Sequence, residues 1–381
     1  MGNTEEVTRS KEQPEVKEPF DINKDKANFF NSFFATVGKR TLEKMGTKVD
    51  EFLPTNNHGF NFQEETPETI KAIIDNLKAN VAVGYDDLPA KIYKNLSEVL
   101  SPSICMLVNL SYLTSTFPQA LKHAIVKPIY KNKGSQEDPQ YYRPLSVLTI
   151  LSKIFEKSAK NQLTDFLENN NRLYPSQHAY RRFHSTTTSL AEITDFLHWE
   201  LEEGNIPAVV STDLSKAFDT VSHPLLLRKL EQMELNKQSL QWIKSYLSKR
   251  TQETRFSEVR SETCEVQSGV PQGSILGPIL FIAFTTDLST SVPESKIVAY
   301  ADDAAILVSE KDLTNLKRKI ELCLEKVQLW YTNNGLLINP SKTEFMVLGN
   351  DNDINVTVKE DGKDISITSK KHLKVLGITV D

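Results

Sequence analysis

Residues 297–308 read Ile-Val-Ala-Tyr-Ala-Asp-Asp-Ala-Ala-Ile-Leu-Val, two short apolar runs split at the centre by adjacent carboxylates. Runs of this kind around a brief break predict a strand, a turn and a second strand. Burying an unpaired carboxylate costs several kcal/mol, so Asp302 and Asp303 either face solvent at the turn or need a cation. Adjacent negative charges repel, which makes a divalent metal ion the natural partner. A second acid of this kind, Asp213, closes the apolar run Ala208–Leu214. If the two segments are neighbouring strands of one sheet, Asp213 and Asp302 converge. Two such carboxylates suit a pair of metal ions and in-line phosphoryl or nucleotidyl transfer. No GxxxxGK[ST] loop, GxSxG elbow or HExxH helix offers a competing chemistry.

The remaining composition is that of a globular protein: 381 residues, 39% hydrophobic and 25% charged, enough for one large or a few small domains. Its net charge of -5 argues mildly against nucleic-acid binding. The distribution tells otherwise. Between Lys122 and Arg182 eleven Lys or Arg face five Asp or Glu, whereas positions 1–70 hold nine against thirteen. Screening limits each charge to about 8–10 Å, so a local basic block still contacts phosphates. The polar N-terminus lacks a secretory pattern, and Glu6 stands where a myristoylation signal has Ser or Thr. No apolar run approaches membrane-spanning length. Cys105, Cys264 and Cys323 are scattered and odd in number. Together these predict an intracellular, non-secreted protein, nuclear or cytoplasmic.

Along the chain, residues 1–26 are expected to be a disordered tail. Phe29 to Val37 recur at helical spacing; further helices are expected after Thr66 and over Ala90–Tyr93, Ser101–Thr116 and Ser152–Asn169. Ala124–Tyr130 reads as a strand, Lys131–Asp138 as a turn, and Ser222-His223-Pro224 as a helix start. Thr251–Glu258 and Thr263–Gln267 read as paired strands. Gly269–Gly277 forms a loop leading into a helix to about Leu288. A long helix covers Leu313–Asn334, and Phe345–Leu348 and Val375–Val380 read as strands. Helices mixed with short paired strands indicate an α+β fold.

Tyr300-Ala301-Asp302-Asp303 resembles the signature of reverse transcriptases. Five further segments resemble motifs of that family, in its order: Tyr142–Ser146, Asp213–Asp219, Gly269–Ser274, Gly335–Thr343 and Leu373–Asp381. Their spacing is most similar to non-LTR (LINE-type, Jockey-like) retrotransposons. Asn28–Gly38 and Gly84–Lys91 resemble upstream segments of that group, with Tyr85 in place of its usual Pro. The resemblance implies a right-hand polymerase with fingers and palm over 120–381, a helical extension over 27–119, and an absent or truncated thumb. It implies RNA-directed DNA synthesis on a DNA primer from dNTPs, with two Mg²⁺ ions, or Mn²⁺ in their place. Asp213, Asp302 and Asp303 would be metal ligands, Asp303 either directly or by hydrogen bonding nearby. Arg143 would grip the triphosphate, Phe218 exclude ribonucleotides, Gln272 and Gly273 touch the nascent pair, Gly269 and Pro271 contact template and primer, and Lys342 protonate pyrophosphate. Lys131 is a candidate for nucleotide phosphates, and Arg181 and Arg182 for template phosphates. The upstream endonuclease of such elements is not expected in this chain. The rival readings are a silent nucleic-acid-binding remnant and a metal-dependent phosphohydrolase.

Overall fold

The computed structural model describes residues 22–46, 52–256, 258–338, 342–350, 352–360 and 363–380. Positions 1–21 of the expected tail, 339–341 of the Gly335–Thr343 segment, and Asp381 lie outside them. The phenylalanine stripe forms a helix, α1 (Ile22–Lys44), which begins inside the expected tail. Tertiary contacts hold that first turn in place: Lys26 lies over the Phe256 ring at 4.7 Å and pairs with Glu137 at 3.0 Å. Helix α2 (Pro67–Asp75) is capped by the Thr66 hydroxyl, which accepts the Thr69 N–H. Next come α3 (Ala90–Asn95) and α4 (Ser97–Leu113). The latter starts a turn before the expected Ser101, with Pro102 inside it rather than at its first position.

Strand β1 (His123–Tyr130) pairs antiparallel with β2 (Tyr142–Val147), Ile125 opposite Val147 and Tyr130 opposite Tyr142. Helix α5 (Ile150–Asn169) follows, and α6 (Thr186–Glu202) starts in a reciprocal Ser185–Thr188 capping box. The apolar run before Asp213 is β3 (Ile206–Thr212), with a two-residue β4 (Leu214–Ser215) beyond it. Helices α7 (His223–Gln232) and α8 (Lys237–Leu247) lead to β5 (Arg250–Phe256), which lies parallel to β1. Short β6 (Val259–Arg260) and β7 (Cys264–Val266) both pair with β5, completing the first sheet.

Helix α9 (Gly277–Phe284) ends before the expected Leu288, where a separate 3₁₀ turn, Leu288–Ser291, begins. The acid-bearing hairpin is β8 (Lys296–Tyr300) and β9 (Asp303–Glu310). After α10 (Leu313–Asn333) come β10 (Leu337–Ile338), β11 (Glu344–Val347), β12 (Asn355–Glu360) and β13 (Lys363–Thr368). The expected strand Val375–Val380 is instead a hairpin, β14 (Leu373–Val375) and β15 (Ile378–Val380). Leu376 and Gly377, both at positive φ, turn the chain between them.

The second sheet runs β11-β3-β9-β8, antiparallel throughout. Alternation sends Ala208, Val210, Ile306 and Val308 to one face and Val209, Leu307, Val298 and Met346 to the other. The first face joins a core containing α9 and α10; the second packs under α6 and β14. That first core is continuous with the N-terminal helices. Phe62 stacks on Tyr112 of α4 at 4.9 Å and meets Trp242 of α8 edge-on at 5.0 Å. The 27–119 segment therefore shares its interior with the rest of the protein. No helix among the described residues is long and apolar enough to cross a membrane.

Candidate active site

The register of β3 on β9 places Thr212 opposite Ala304. Asp213 follows the one and Asp302-Asp303 precede the other, so the acids meet at one end of the sheet although the chain between them is long. The β8–β9 turn is tight: Tyr300 pairs with Asp303, and Ala301 takes a left-handed φ of 58°. Past Thr212 the chain leaves the sheet, and β4 pairs with β10. Lys342, downstream of β10, forms an ion pair with Asp213. Burial, together with the Asp213 charge, raises the Asp302 carboxyl above the usual carboxylate range. Asp303, more exposed, is pushed up to about 6 by partial desolvation and by the charges of Asp302 and Asp213.

Asp213 and Asp302 line a cleft of about 390 Å³. Asp303 instead borders a separate hollow of about 90 Å³ beside Ser189 and Lys374. Among the described residues, no group of three or more His, Cys, Asp or Glu side chains is placed to hold a metal ion. The ammonium of Lys342 engages Asp213, and Asp303 turns to the other side. The donor set itself suits a hard cation: carboxylate oxygens whose mutual repulsion a divalent ion would relieve.

The cleft wall opposite the acids is cationic. Lys131 donates to the Gln140 carbonyl at 2.9 Å and is lowered in pKa, chiefly by burial and then by Arg143. Arg143 sits before a proline in an apolar run, a sequence setting that suggests a buried ionic role. It is exposed at the cleft rim, because β2 pairs only with β1 and forms the sheet edge. Lys216 is pushed down to about 8, mainly by burial, and lies 4.2 Å over the Phe33 ring of α1. Phe218 stacks on Phe281 of α9 at 4.4 Å and contributes to the cleft wall.

The glycine-punctuated loop is docked against β2: the Ser146 N–H donates to the Gln272 carbonyl at 2.7 Å. Gly273 sits at φ 116°, and a Cβ there would meet the Ser146 carbonyl at 2.5 Å, so the approach requires glycine. Gly269, also left-handed, packs on the Asp219 backbone, and its carbonyl lies 2.7 Å from a His223 ring nitrogen. Pro271 lines a small cavity beneath the loop. Glu156 of α5, fully buried, accepts the Ile275 N–H at 2.7 Å and the Leu276 N–H at 3.1 Å, fixing the entry to α9.

Arg181 lies away from the cleft. Its guanidinium forms a two-point pair with Glu168 (2.9 and 2.6 Å) and donates to the carbonyls of Tyr174, Pro175 and Gln177. Arg182 is exposed and pairs with Asp165 at 2.9 Å. Three polar residues in or behind the site escaped the sequence reading. Asp219, whose Oδ1 accepts from Gln272 Nε2 at 2.8 Å, is raised to about 6 by burial. The second acid closing Asp213–Asp219 was its available signal. Glu156 was a lone acid on the apolar face of α5, and Gln177 carried no signal beyond its polarity.

Two acids from one sheet, a docked glycine loop and several Lys and Arg side chains thus gather around one cleft. Residues 129–380 match the family of reverse transcriptases (RNA-dependent DNA polymerases), and the chain belongs to that family. It is 28% identical over 352 residues to the RNA-directed DNA polymerase from mobile element jockey of Drosophila melanogaster, covering 89% of this chain and 38% of that protein. Similarity to the probable RNA-directed DNA polymerase from transposon BS of the same fly is 28% over 359 residues, 91% of this chain and 38% of the relative. The Drosophila funebris jockey polymerase is 29% identical over 284 residues, 73% of this chain and 31% of that protein. The chain spans only about a third of the length of these curated relatives.

Proposed function

We propose that this chain carries the polymerase centre of a non-LTR retrotransposon reverse transcriptase, extending a DNA primer along an RNA template by transfer of nucleotides from dNTPs. The observation that supports this most is the convergence of Asp213 and Asp302 in one cleft, opposite Lys131, Arg143 and Lys216. Asp213 and Asp302 would hold divalent ions, with Asp303 adding charge from the neighbouring side. Two Mg²⁺ ions, or Mn²⁺ in their place, would supply activation of the primer hydroxyl and neutralisation of the leaving phosphates. Arg143 and Lys131 would grip the triphosphate, with the guanidinium suited to two-point phosphate contact. Phe218 would fill the space a ribose 2′-hydroxyl needs, and Gln272 with Gly273 would border the nascent pair. Gly269 and Pro271 would shape the loop under template and primer, and Arg182 is better exposed than Arg181 for template phosphates. Lys342 would donate the proton to pyrophosphate.

Extension of a DNA primer on an RNA template with labelled dNTP tests this. Asp302→Asn and Asp213→Ala are each expected to abolish extension while the circular dichroism spectrum is unchanged. Near-normal extension by either variant would overturn the assignment.

A further inference from the structure

The β8–β9 turn is a two-residue hairpin loop, which needs a positive φ at its first central position, and that position holds an alanine rather than a glycine. Ala301 has φ 58°, a region that costs a residue with a Cβ free energy and that persists only where surroundings over-determine it. The ladder partners on either side, Tyr300 with Asp303 and Ala299 with Ala304, do not reach the Ala301 backbone. A residue from a different part of the chain does. The Ala301 N–H donates to Gln177 Oε1 at 3.0 Å, and Gln177 Nε2 lies 3.5 Å from the Ala301 carbonyl oxygen. The same Oε1 accepts the Ala179 N–H at 2.9 Å, which fixes the rotamer of the amide. Gln177 is only 4% exposed, so water does not compete for these bonds.

The segment that carries Gln177 is itself fastened to the hairpin and to α6. The Ala299 N–H donates to the Ser176 carbonyl at 2.9 Å, and the His178 N–H donates to the Ala299 carbonyl at 2.8 Å, adding a short parallel bridge to β8. On the other side, Glu192 of α6 accepts from Ser176 Oγ at 2.5 Å and lies 2.6 Å from His178 Nε2. The amide is thus presented to the turn from a segment bridged to β8 and anchored to α6.

We propose that Gln177 is a positioning residue, which holds the turn in its left-handed form so that Asp302 faces the cleft toward Asp213. This rests on the polymerase reading above and assigns Gln177 no contact with substrate. With the bond removed, only the closure of the two-residue loop opposes the cost of a Cβ at left-handed φ, and the peptide that leads into Asp302 is free to rotate. Divalent-ion affinity and catalytic rate then fall together, while the dNTP subsite, built from other elements, is untouched.

The test measures Mn²⁺ affinity by the electron paramagnetic resonance signal of free Mn²⁺, primer extension, and thermal unfolding in parallel. Gln177→Met, similar in volume but unable to accept, is expected to weaken Mn²⁺ binding and slow extension by about tenfold, the scale of one buried hydrogen bond. The KM for dNTP should stay within about twofold. Gln177→Glu, which keeps an oxygen for both N–H groups, should retain Mn²⁺ affinity. Should Gln177→Met fail to fold, Gln177→Asn, which withdraws the oxygen by one methylene, replaces it with the same expectation. Mn²⁺ affinity unchanged in Gln177→Met or Gln177→Asn, or equally lost in Gln177→Glu, overturns the proposal. Wild-type protein that binds Mn²⁺ yet extends no primer overturns the polymerase reading instead, and the Mn²⁺ measurements still decide the role of Gln177.

Discussion

Asp219 offers a measurable conflict between stability and site. Burial raises its carboxyl from 3.8 to about 6, although Gln272 and Lys216 pull the other way. A carboxyl with a raised pKa in the fold binds its proton more tightly there than in the unfolded chain. Its ionisation therefore favours unfolding: the penalty is absent below about pH 4, grows between about pH 4 and 6, and is complete above that. Two pKa steps correspond to at most about 3 kcal/mol at pH 8, and to about 1.5 kcal/mol at pH 5. Asp219→Asn keeps an oxygen to accept from Gln272 Nε2 and carries no penalty. Its urea-unfolding stability, followed by tryptophan fluorescence, should exceed that of the wild type at pH 8. The gap should narrow by about 1.5 kcal/mol at pH 5 and close near pH 4. Comparing variant with wild type at each pH cancels the titrating groups that do not interact with Asp219, leaving Lys216 and Lys131 as the neighbours coupled to it. A gap independent of pH, or one that widens on acidification, would refute the reasoning.

Two further outcomes concern neighbouring elements. Glu156→Ala should destabilise the protein by about 3 kcal/mol or more in urea unfolding, because it leaves the Ile275 and Leu276 N–H groups buried without an acceptor. Phe218→Ala should raise the ratio of ribonucleotide to deoxyribonucleotide incorporation in single-turnover extension; an unchanged ratio would show that its ring serves only to pack on Phe281.

The acids of the site were legible because a carboxylate inside an apolar run conflicts with burial, and that conflict is visible without a fold. What depends on sheet order was not. Arg143 in Tyr142–Val147 looks interior from its apolar neighbours, and Pro144 argues against a strand altogether; as an edge strand, β2 accommodates the proline and exposes the arginine. Helix α6 was missed because it opens on Thr186-Thr187-Thr188, poor helix formers, and is started instead by the Ser185 capping box. The Val375–Val380 run hid a turn, since Gly377 reads equally as a weak point in one strand. The Lys342–Asp213 pair and the Gln177–Ala301 contact join distant positions, and no local pattern encodes them. Arg181 illustrates the converse: an arginine doublet suggests a phosphate contact, yet Glu168 on α5 takes up the first guanidinium.

Helix α1 lies wholly ahead of residue 129, where the family match starts, yet Phe33, Phe34 and Val37 form part of the cleft that holds Asp213 and Asp302. Its Phe30 is fully buried between Tyr142 and Phe256, at ring distances of 5.0 and 5.4 Å. A protein trimmed to the start of the family match would thus lose one wall of this cleft and lay bare a seam of aromatic rings on the first sheet. The elements that line this cleft begin about a hundred residues upstream of the stretch that the family matches.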